Sequence, residues 1–395
     1  MTPTPDTALT VETVTSVSEV SANVWDSLAP EDPMASHGWL QLMEEELGAG
    51  VETLYVLTRQ GEELVGALPC YLCYRSSRLL DPNQFMFGRF RRLPELLHMS
   101  FVPTMLLGPY FGVGSKFLLA DSLDEPARQI LGTRLKQKAL DLARARGLSI
   151  QVTRISNESV ESLDSLSNDR LHEVRLFPMC YLDIEWNDFE GYLSYIGSFS
   201  ANTRRSIKKE MSRFQRSKGL VRRLQDPIAH DPALQRLAKD HYWRLNRAPF
   251  PFSDRFFIRL KELLGDEAVF YGGFLGKSLV GFSLMLRRGG TAYMFLTGID
   301  RSRTDNEGTY FNLCYYRPIM DAPSEGVERM FYGTALHRPK VRRGCKLMRL
   351  NQWHLATSPA WHAAMKPWFA FHAAWMRKRV TAAEDLARLR AWSGN

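Results

Sequence analysis

Two segments far apart in the chain, YVLTRQGEELVGALPCYL at residues 55–72 and GGFLGKSLVGFSLML at residues 272–286, superimpose around a shared Leu-Val-Gly, at Leu64-Val65-Gly66 and Leu279-Val280-Gly281. Each is a pair of apolar runs joined by a short turn, Gln60-Gly61-Glu62-Glu63 in the first and Leu275-Gly276-Lys277-Ser278 in the second. That pattern predicts a β-hairpin in both places. The surrounding elements repeat as well. In the first half, a helix through SHGWLQLMEEELG, capped by Ser36 and stopped by Gly48, precedes the hairpin. A Phe/Arg-rich loop (81–95), the Gly/Pro-rich stretch MLLGPYFGVGSK, a helix over 125–146 and the strand LSIQVTRI follow it. In the second half, FEGYLSYI, a basic helix and PALQRLAKDHYWRLNR precede the hairpin. A turn at Gly289-Gly290, a helix over 309–322 and the strand VERMFYGT follow it. A repeat longer than 150 residues implies duplicated domains rather than a solenoid. The expected division is a tail over 1–21, α/β domains over 22–185 and 186–355, each a mixed twisted sheet flanked by helices, and a helical extension over 356–395.

A chain of 395 residues accommodates two such domains, and a hydrophobic content of 45% excludes a disordered protein. No stretch approaches twenty apolar residues, and the N-terminus has neither a basic start nor an apolar run. The expectation is a soluble, cytoplasmic protein. Five cysteines without an export signal favour reduced thiols. Cys70 and Cys73 form a C-x-x-C, but they sit in an apolar strand with no second Cys or His pair nearby, so no metal site is expected.

Charge is concentrated. Residues 201–223 carry nine Lys or Arg against the single acid Glu210, an excess equal to the +8 of the whole chain. Arg204, Arg205, Lys208, Lys209, Arg213 and Arg216 cover one broad helical side, while Ile207, Met211 and Phe214 recur at spacings of four and three as a buried stripe. Ser200 or Asn202 fits the N-cap and Gly219 the stop. A localised basic ledge suits a polyanion; the plainer reading is a solvated face.

Several stretches are similar to one family. SHGWLQLMEE through LVGALPCYL, SANTRRSIKKEMSRF, TYFNLCYYRPI and the spacing of Gly333, Lys340, Arg343 and Gly344 in FYGTALHRPKVRRG together resemble the FemAB-like branch of the GNAT acyltransferase superfamily, over about residues 22–375. The resemblance implies two tandem GNAT-like domains. It also implies an N-acyltransferase or aminoacyltransferase that moves an acyl or aminoacyl group from an activated carrier, aminoacyl-tRNA or an acyl-thioester such as acyl-CoA, to an amine. No permanently bound cofactor or metal is implied. The usual donor turn, (Q/R)-x-x-G-x-(G/A), corresponds to Arg303, Asn306 and Gly308, with Asn in place of the first Gly. Asn tolerates a left-handed backbone better than most residues. Arg204, Arg205, Lys208 and Lys209 are the candidate tRNA contacts, and Lys340 and Arg343 the candidate phosphate or carboxylate contacts. GNAT relatives often place a Tyr general acid on the helix after the turn, where Tyr310, Tyr315 and Tyr316 lie; aromatic residues at such spacing are otherwise core. His337, in the loop leaving the last strand, is the candidate histidine. Cys314 has no visible activating partner, so direct attack by the amine is simpler. The chain departs from its relatives at Asn312, where they usually have Glu, and at Leu336-His337-Arg338-Pro339-Lys340, where they have an acidic run. A different base or acceptor is the consequence. The alternative function is a non-catalytic binding module for an anionic partner, nucleic acid or a cell-wall precursor.

Overall fold

A computed structural model describes residues 9–83, 101–113, 116–156, 172–304, 306–355 and 359–392, so most of the expected 81–95 loop lies outside the described residues. The chain divides into two compact units, Met1–Pro30, Met34–Leu176 and Arg349–Lys378 in one, Glu31–Pro33, Phe177–Met348 and Arg379–Asn395 in the other. The first contains β1 (Leu9–Val14), α1 (Ala22–Asp26), α2 (His37–Glu46), β2 (Val51–Gln60), β3 (Glu63–Cys73), β4 (Thr104–Leu107), β5 (Leu118–Leu119), α3 (Glu125–Ala145), β6 (Ser149–Ser156) and β7 (His172–Arg175). The second contains β8 (Met179–Asp183), α4 (Phe189–Phe199), α5 (Ala201–Arg216), β9 (Gly219–Arg223), α6 (Asp231–Asn246), α7 (Phe256–Leu264), β10 (Ala268–Leu275), β11 (Ser278–Arg288) and β12 (Thr291–Ile299). It continues through α8 (Asn306–Phe311), a π-helical turn (Asn312–Tyr316), α9 (Arg317–Asp321), β13 (Arg329–Gly333), α10 (His337–Arg342) and β14 (Lys346–Met348). The chain then gives β15 (Leu350–Leu355) and the helix α11 (Pro359–Trp392).

The sheets share one topology. The first runs β1-β2-β3-β4-β6-β15-β7, with β5 against β3; the second, read from its opposite edge, runs β9-β10-β11-β12-β13-β8-β14. Each has a single parallel pair, β4 with β6 and β12 with β13, and is otherwise antiparallel. The shared Leu-Val-Gly is the same structural device in both. Gly66 lies opposite Thr58 and Leu64 opposite Arg59, leaving Val65 as the extra residue of a bulge. Gly281 lies opposite Gly273 and Leu279 opposite Phe274, leaving Val280 in the same role. A bulge bends and twists its strand, and repeating it gives both hairpins the same curvature. The turn glycines Gly61 and Gly276 have φ of 62° and 60°, the left-handed values a tight hairpin turn requires.

Three boundaries differ from the sequence expectation. The supposed tail carries β1, antiparallel to β2. β8, expected before residue 185 in the first domain, belongs to the second sheet, and β15, expected in the second domain, lies between β6 and β7 in the first. Each sheet thus receives the strand that follows the other's last strand. The physical reason is the connection. Arg349 alone joins β14 to β15, too short a link for the chain to turn back on itself as a hairpin.

The basic segment differs too. Ser200 caps α5, its hydroxyl accepting from the Thr203 N–H at 3.1 Å, but the helix ends at Arg216 and residues 219–223 form the edge strand β9. Lys218, not Gly219, takes the left-handed backbone (φ 55°). Gly219 is required for another reason, since a Cβ there would meet the Phe214 ring. Cys70 and Cys73 sit three apart on β3, so their thiols point to opposite faces and enter different hydrophobic clusters.

Candidate functional site

The site grows from the place where β12 leaves β13. Their pairing covers only Thr291–Tyr293 against Arg329–Phe331. Beyond it, β12 changes register against β11 and Phe295 becomes the extra residue. GNAT-like folds, as the resemblance implies, place the donor where two parallel strands part. β12 ends at Ile299, and residues 300–305 lead into α8. There the Asp300 carboxylate accepts from Ser302 N–H and Oγ–H at 3.1 and 2.6 Å, and its carbonyl accepts from Thr304 Oγ1–H at 3.0 Å. Arg303 is exposed in this turn, Asn306 opens the helix, and Gly308 is buried within its first turn. Asn312 donates from Nδ2 to the Gly308 carbonyl at 2.7 Å, so the residue standing where relatives carry Glu holds the helix backbone instead.

All five residues of the π-helical turn after α8 are buried. Tyr315 stacks on Tyr332 with ring centroids 4.5 Å apart and planes 2° from parallel. Tyr316 donates its hydroxyl to Glu210 and accepts from Arg343 Nε–H at 3.1 Å. Arg343 also grips both Glu210 oxygens at 2.9 and 2.8 Å, donates to the Pro339 carbonyl at 3.1 Å and lies over the Phe311 ring. Burial pushes the phenols of Tyr315 and Tyr316 far above their ordinary range.

These contacts change the expected roles. Tyr315 and Tyr316 are each 1% exposed, enclosed in the core rather than open to a leaving group. Arg343 is turned inward, its buried guanidinium paired with the half-buried carboxylate of Glu210. Lys340, 5% exposed, donates to the carbonyls of Tyr332 and Gly333 and so closes the end of β13; burial pulls its ammonium below its ordinary value. Gly333 (φ 81°) and Gly344 (φ 99°) supply the left-handed turns around this loop, and a Cβ on Gly344 would sit 2.9 Å from Tyr195. The Gly-Lys-Arg-Gly spacing is therefore a tether between β13, α10 and α5. Neither cation is free for a phosphate. Glu210, the lone acid of the basic segment, follows Ile207 by three and precedes Phe214 by four, along the buried stripe. That spacing is the signal that finds it.

His337 begins α10 and is half-buried. Its Nε2 donates to the Pro178 carbonyl at 2.9 Å, which leaves Nδ1 as the basic nitrogen. Burial and Lys340 hold its pKa below the ordinary value, so it is neutral at pH 7. Leu336 beside it adopts φ 55° with its side chain 68% exposed, an uncommon conformation for a bulky residue, and such local strain concentrates at functional loops. Cys314 is buried against Thr297 at 3.1 Å, and burial raises its thiol to about 12, an inert form.

The basic helix keeps its expected face. Arg204, Arg205, Lys208, Lys209, Arg213 and Arg216 are all exposed, while Ile207 and Phe214 are buried. Lys208 reaches Glu190 at 3.6 Å and Arg205 bonds Asn202 at 2.7 Å, both on the surface. Among the described residues, no helix is long and apolar enough to cross a membrane.

The family model for FemAB-like proteins, described as peptidoglycan biosynthesis/recognition, matches residues 16–391. Among solved structures, FemX is similar at 11% identity and a TM-score of 0.57, covering 86% of this chain and 96% of that one. The C-terminal domain of a putative lysylphosphatidylglycerol synthetase from Agrobacterium fabrum is similar at 10% identity and a TM-score of 0.57, covering 88% and 95%. A tandem GNAT protein from the clavulanic acid biosynthesis pathway is similar at 13% identity and a TM-score of 0.50, covering 89% and 99%. No curated protein matches the chain. At these identities the structural likeness speaks for the fold, and the family model speaks for membership. The chain belongs to the FemAB-like family, and its fold is shared with tandem GNAT proteins.

Proposed function

We propose that this protein transfers an aminoacyl group from aminoacyl-tRNA to an amine of a small-molecule or cell-wall-precursor acceptor, in the cytoplasm where that donor is made. The observation that carries the reading is the exposed cationic side of α5, six basic side chains on one helix whose opposite face is buried. A pantetheine-based donor needs few phosphate contacts, whereas a tRNA uses many. The donor end would lie at Arg303, Asn306 and Gly308, where the start of α8 offers backbone N–H groups. The acceptor amine attacks the ester carbonyl, the C–O bond to the tRNA breaks, and the amine proton passes through Nδ1 of neutral His337 to the departing oxygen. FemX and the peptidoglycan description of the family support a cell-wall acceptor.

Replacing Arg204, Arg205, Lys208 and Lys209 with Gln tests this. Binding of bulk tRNA should weaken at least ~10-fold, and the log–log salt slope should fall by about 3 to 4, close to one per lost phosphate contact. Thermal stability should change by less than ~0.5 kcal/mol, since the buried stripe is untouched. Full tRNA affinity with no salt dependence overturns the tRNA reading and leaves acyl-thioester transfer. His337→Gln should lower kcat ~100-fold or more while leaving donor affinity unchanged. Binding of tRNA without any turnover across amine acceptors favours the non-catalytic module.

A further inference from the structure

The part of α11 that belongs to the first unit, up to Lys378, is apolar on two faces. Met365, Phe369, His372 and Met376 recur at spacings of four, three and four as its buried stripe, and Met365 and Phe369 close over Phe101 and Val174. On the other side, Pro367, Ala370, Phe371, Ala374 and Trp375 recur at spacings of three and four apart and one and are all exposed, Phe371 by 60% and Trp375 by 44%. A surface helix ordinarily turns polar residues outward, yet between Lys366 and Arg377 this face carries none. Its two large rings are held in place, Phe371 beside Trp368 and Trp375 beside His372, each pair with centroids 5.7 Å apart. Charge surrounds the face in one sign only. Lys366 stands at one end and Arg377 and Lys378 at the other, all exposed, and residues 359–380 contain four Lys or Arg and no Asp or Glu.

We propose that this face of α11 docks on an anionic membrane surface, lying in the interface rather than crossing it. Phe and Trp rings enter the boundary between headgroups and acyl chains, and flanking Lys and Arg meet acidic lipid headgroups. As a helix, the apolar stretch from Pro367 to Met376 is ~15 Å long, about half the thickness of a hydrocarbon core, which suits lying flat. A second copy of the chain is the less suited occupant. A two-fold contact through this face sets cations against cations in either orientation, with no acid on the segment to offset them. The proposal stands apart from the tRNA reading, which concerns α5.

The test measures co-sedimentation of the full chain with phosphatidylcholine vesicles, either pure or containing about one-third phosphatidylglycerol. The wild type should bind the anionic vesicles at least ~10-fold more tightly than the neutral ones. F371S/W375S should lose ~10-fold or more on anionic vesicles. K366Q/R377Q/K378Q should lose ~30-fold or more and most of its salt dependence. F371W, which keeps an interfacial ring, should bind at least as tightly as wild type; a loss there places the effect in folding rather than in the surface and overturns the site. The four-Gln variant of α5 should still bind the vesicles. If that variant loses vesicle binding while F371S/W375S keeps it, the membrane face is α5 and the proposal falls. Absence of wild-type binding to anionic vesicles overturns it outright, and a dimer in sedimentation velocity that F371S/W375S dissolves then assigns the face to a second copy.

Discussion

The two units build the same sheet and then load it differently. In the first, the chain leaving β4 wanders through residues 108–124, adding β5, before Asp124 caps α3. In the second, it leaves β12 and enters α8 within residues 300–305. α3 presents Leu135, Ala139, Leu140 and Ala143 to its sheet, an apolar face. The helix after β12 presents Tyr315 and Tyr316 and meets the Glu210–Arg343 pair, whose arginine is buried and whose carboxylate is half-buried. The second unit thus has the shorter turn and an arginine–carboxylate pair against its helix, the features on which the proposed site rests. A duplicated sheet is thus a neutral frame, and the connection after its first parallel strand decides what the frame does.

Breaking the polar interior should give the largest effect. Arg343→Ala strips the buried guanidinium from the half-buried Glu210 carboxylate and from the Phe311 ring and should cost about 3 kcal/mol. In chemical denaturation the loss should appear in the unfolding of the second unit, with the first unaffected. An equal loss in both units would dissolve the contrast. Replacing both partners with apolar residues, Glu210→Leu with Arg343→Met, should cost much less, because no charge is stranded.

Acid should separate the units in the opposite sense. His354 is 3% exposed among Phe101, Phe369, His172 and His372, and burial with the two neighbouring imidazoles pushes it down to about 3. It stays neutral when folded but takes a proton on unfolding below its ordinary value of about 6.5. Its contribution is therefore complete above pH 6.5 and declines by ~1.4 kcal/mol per pH unit as pH falls toward 3, so ~2 kcal/mol is gone by pH 5. His354→Gln should flatten this acid limb in an equilibrium unfolding series. An unchanged limb rejects His354 as its source.

The two bulge glycines give the smallest and sharpest comparison. A Cβ on Gly281 would meet the Gly298 carbonyl at 3.2 Å, a backbone atom that cannot yield. On Gly66 the neighbours are the methyl ends of Leu119, Leu131 and Leu135 at 3.2 to 3.3 Å, which can rotate. Gly281→Ala should cost about 1 to 3 kcal/mol and Gly66→Ala less, as read from the shift of each denaturation midpoint. The reverse order would show that the hairpins are not packed as equivalents.

Local features were legible in the residues because local rules govern them. The hairpin turns at Gly61 and Gly276, the cap at Ser36, the helix over 125–146 and the exposed face of α5 all depend on neighbours within a few positions. The FYGTALHRPKVRRG string was legible as a motif but not in its meaning. Its lysine and arginine resemble a phosphate clamp until the fold turns Arg343 toward a carboxylate 133 positions earlier in the chain.

What the sequence by itself determined is the repertoire: α/β elements in a doubled order, a matching hairpin in each half and one basic helical face. Those follow from periodicity, turn chemistry and composition, which act over short stretches of chain. Tertiary structure alone decided which sheet β8 and β15 join and which cations are turned inward into ion pairs. Such outcomes depend on pairing and desolvation between residues distant in the chain, and these interactions take effect only when the sheets close around them.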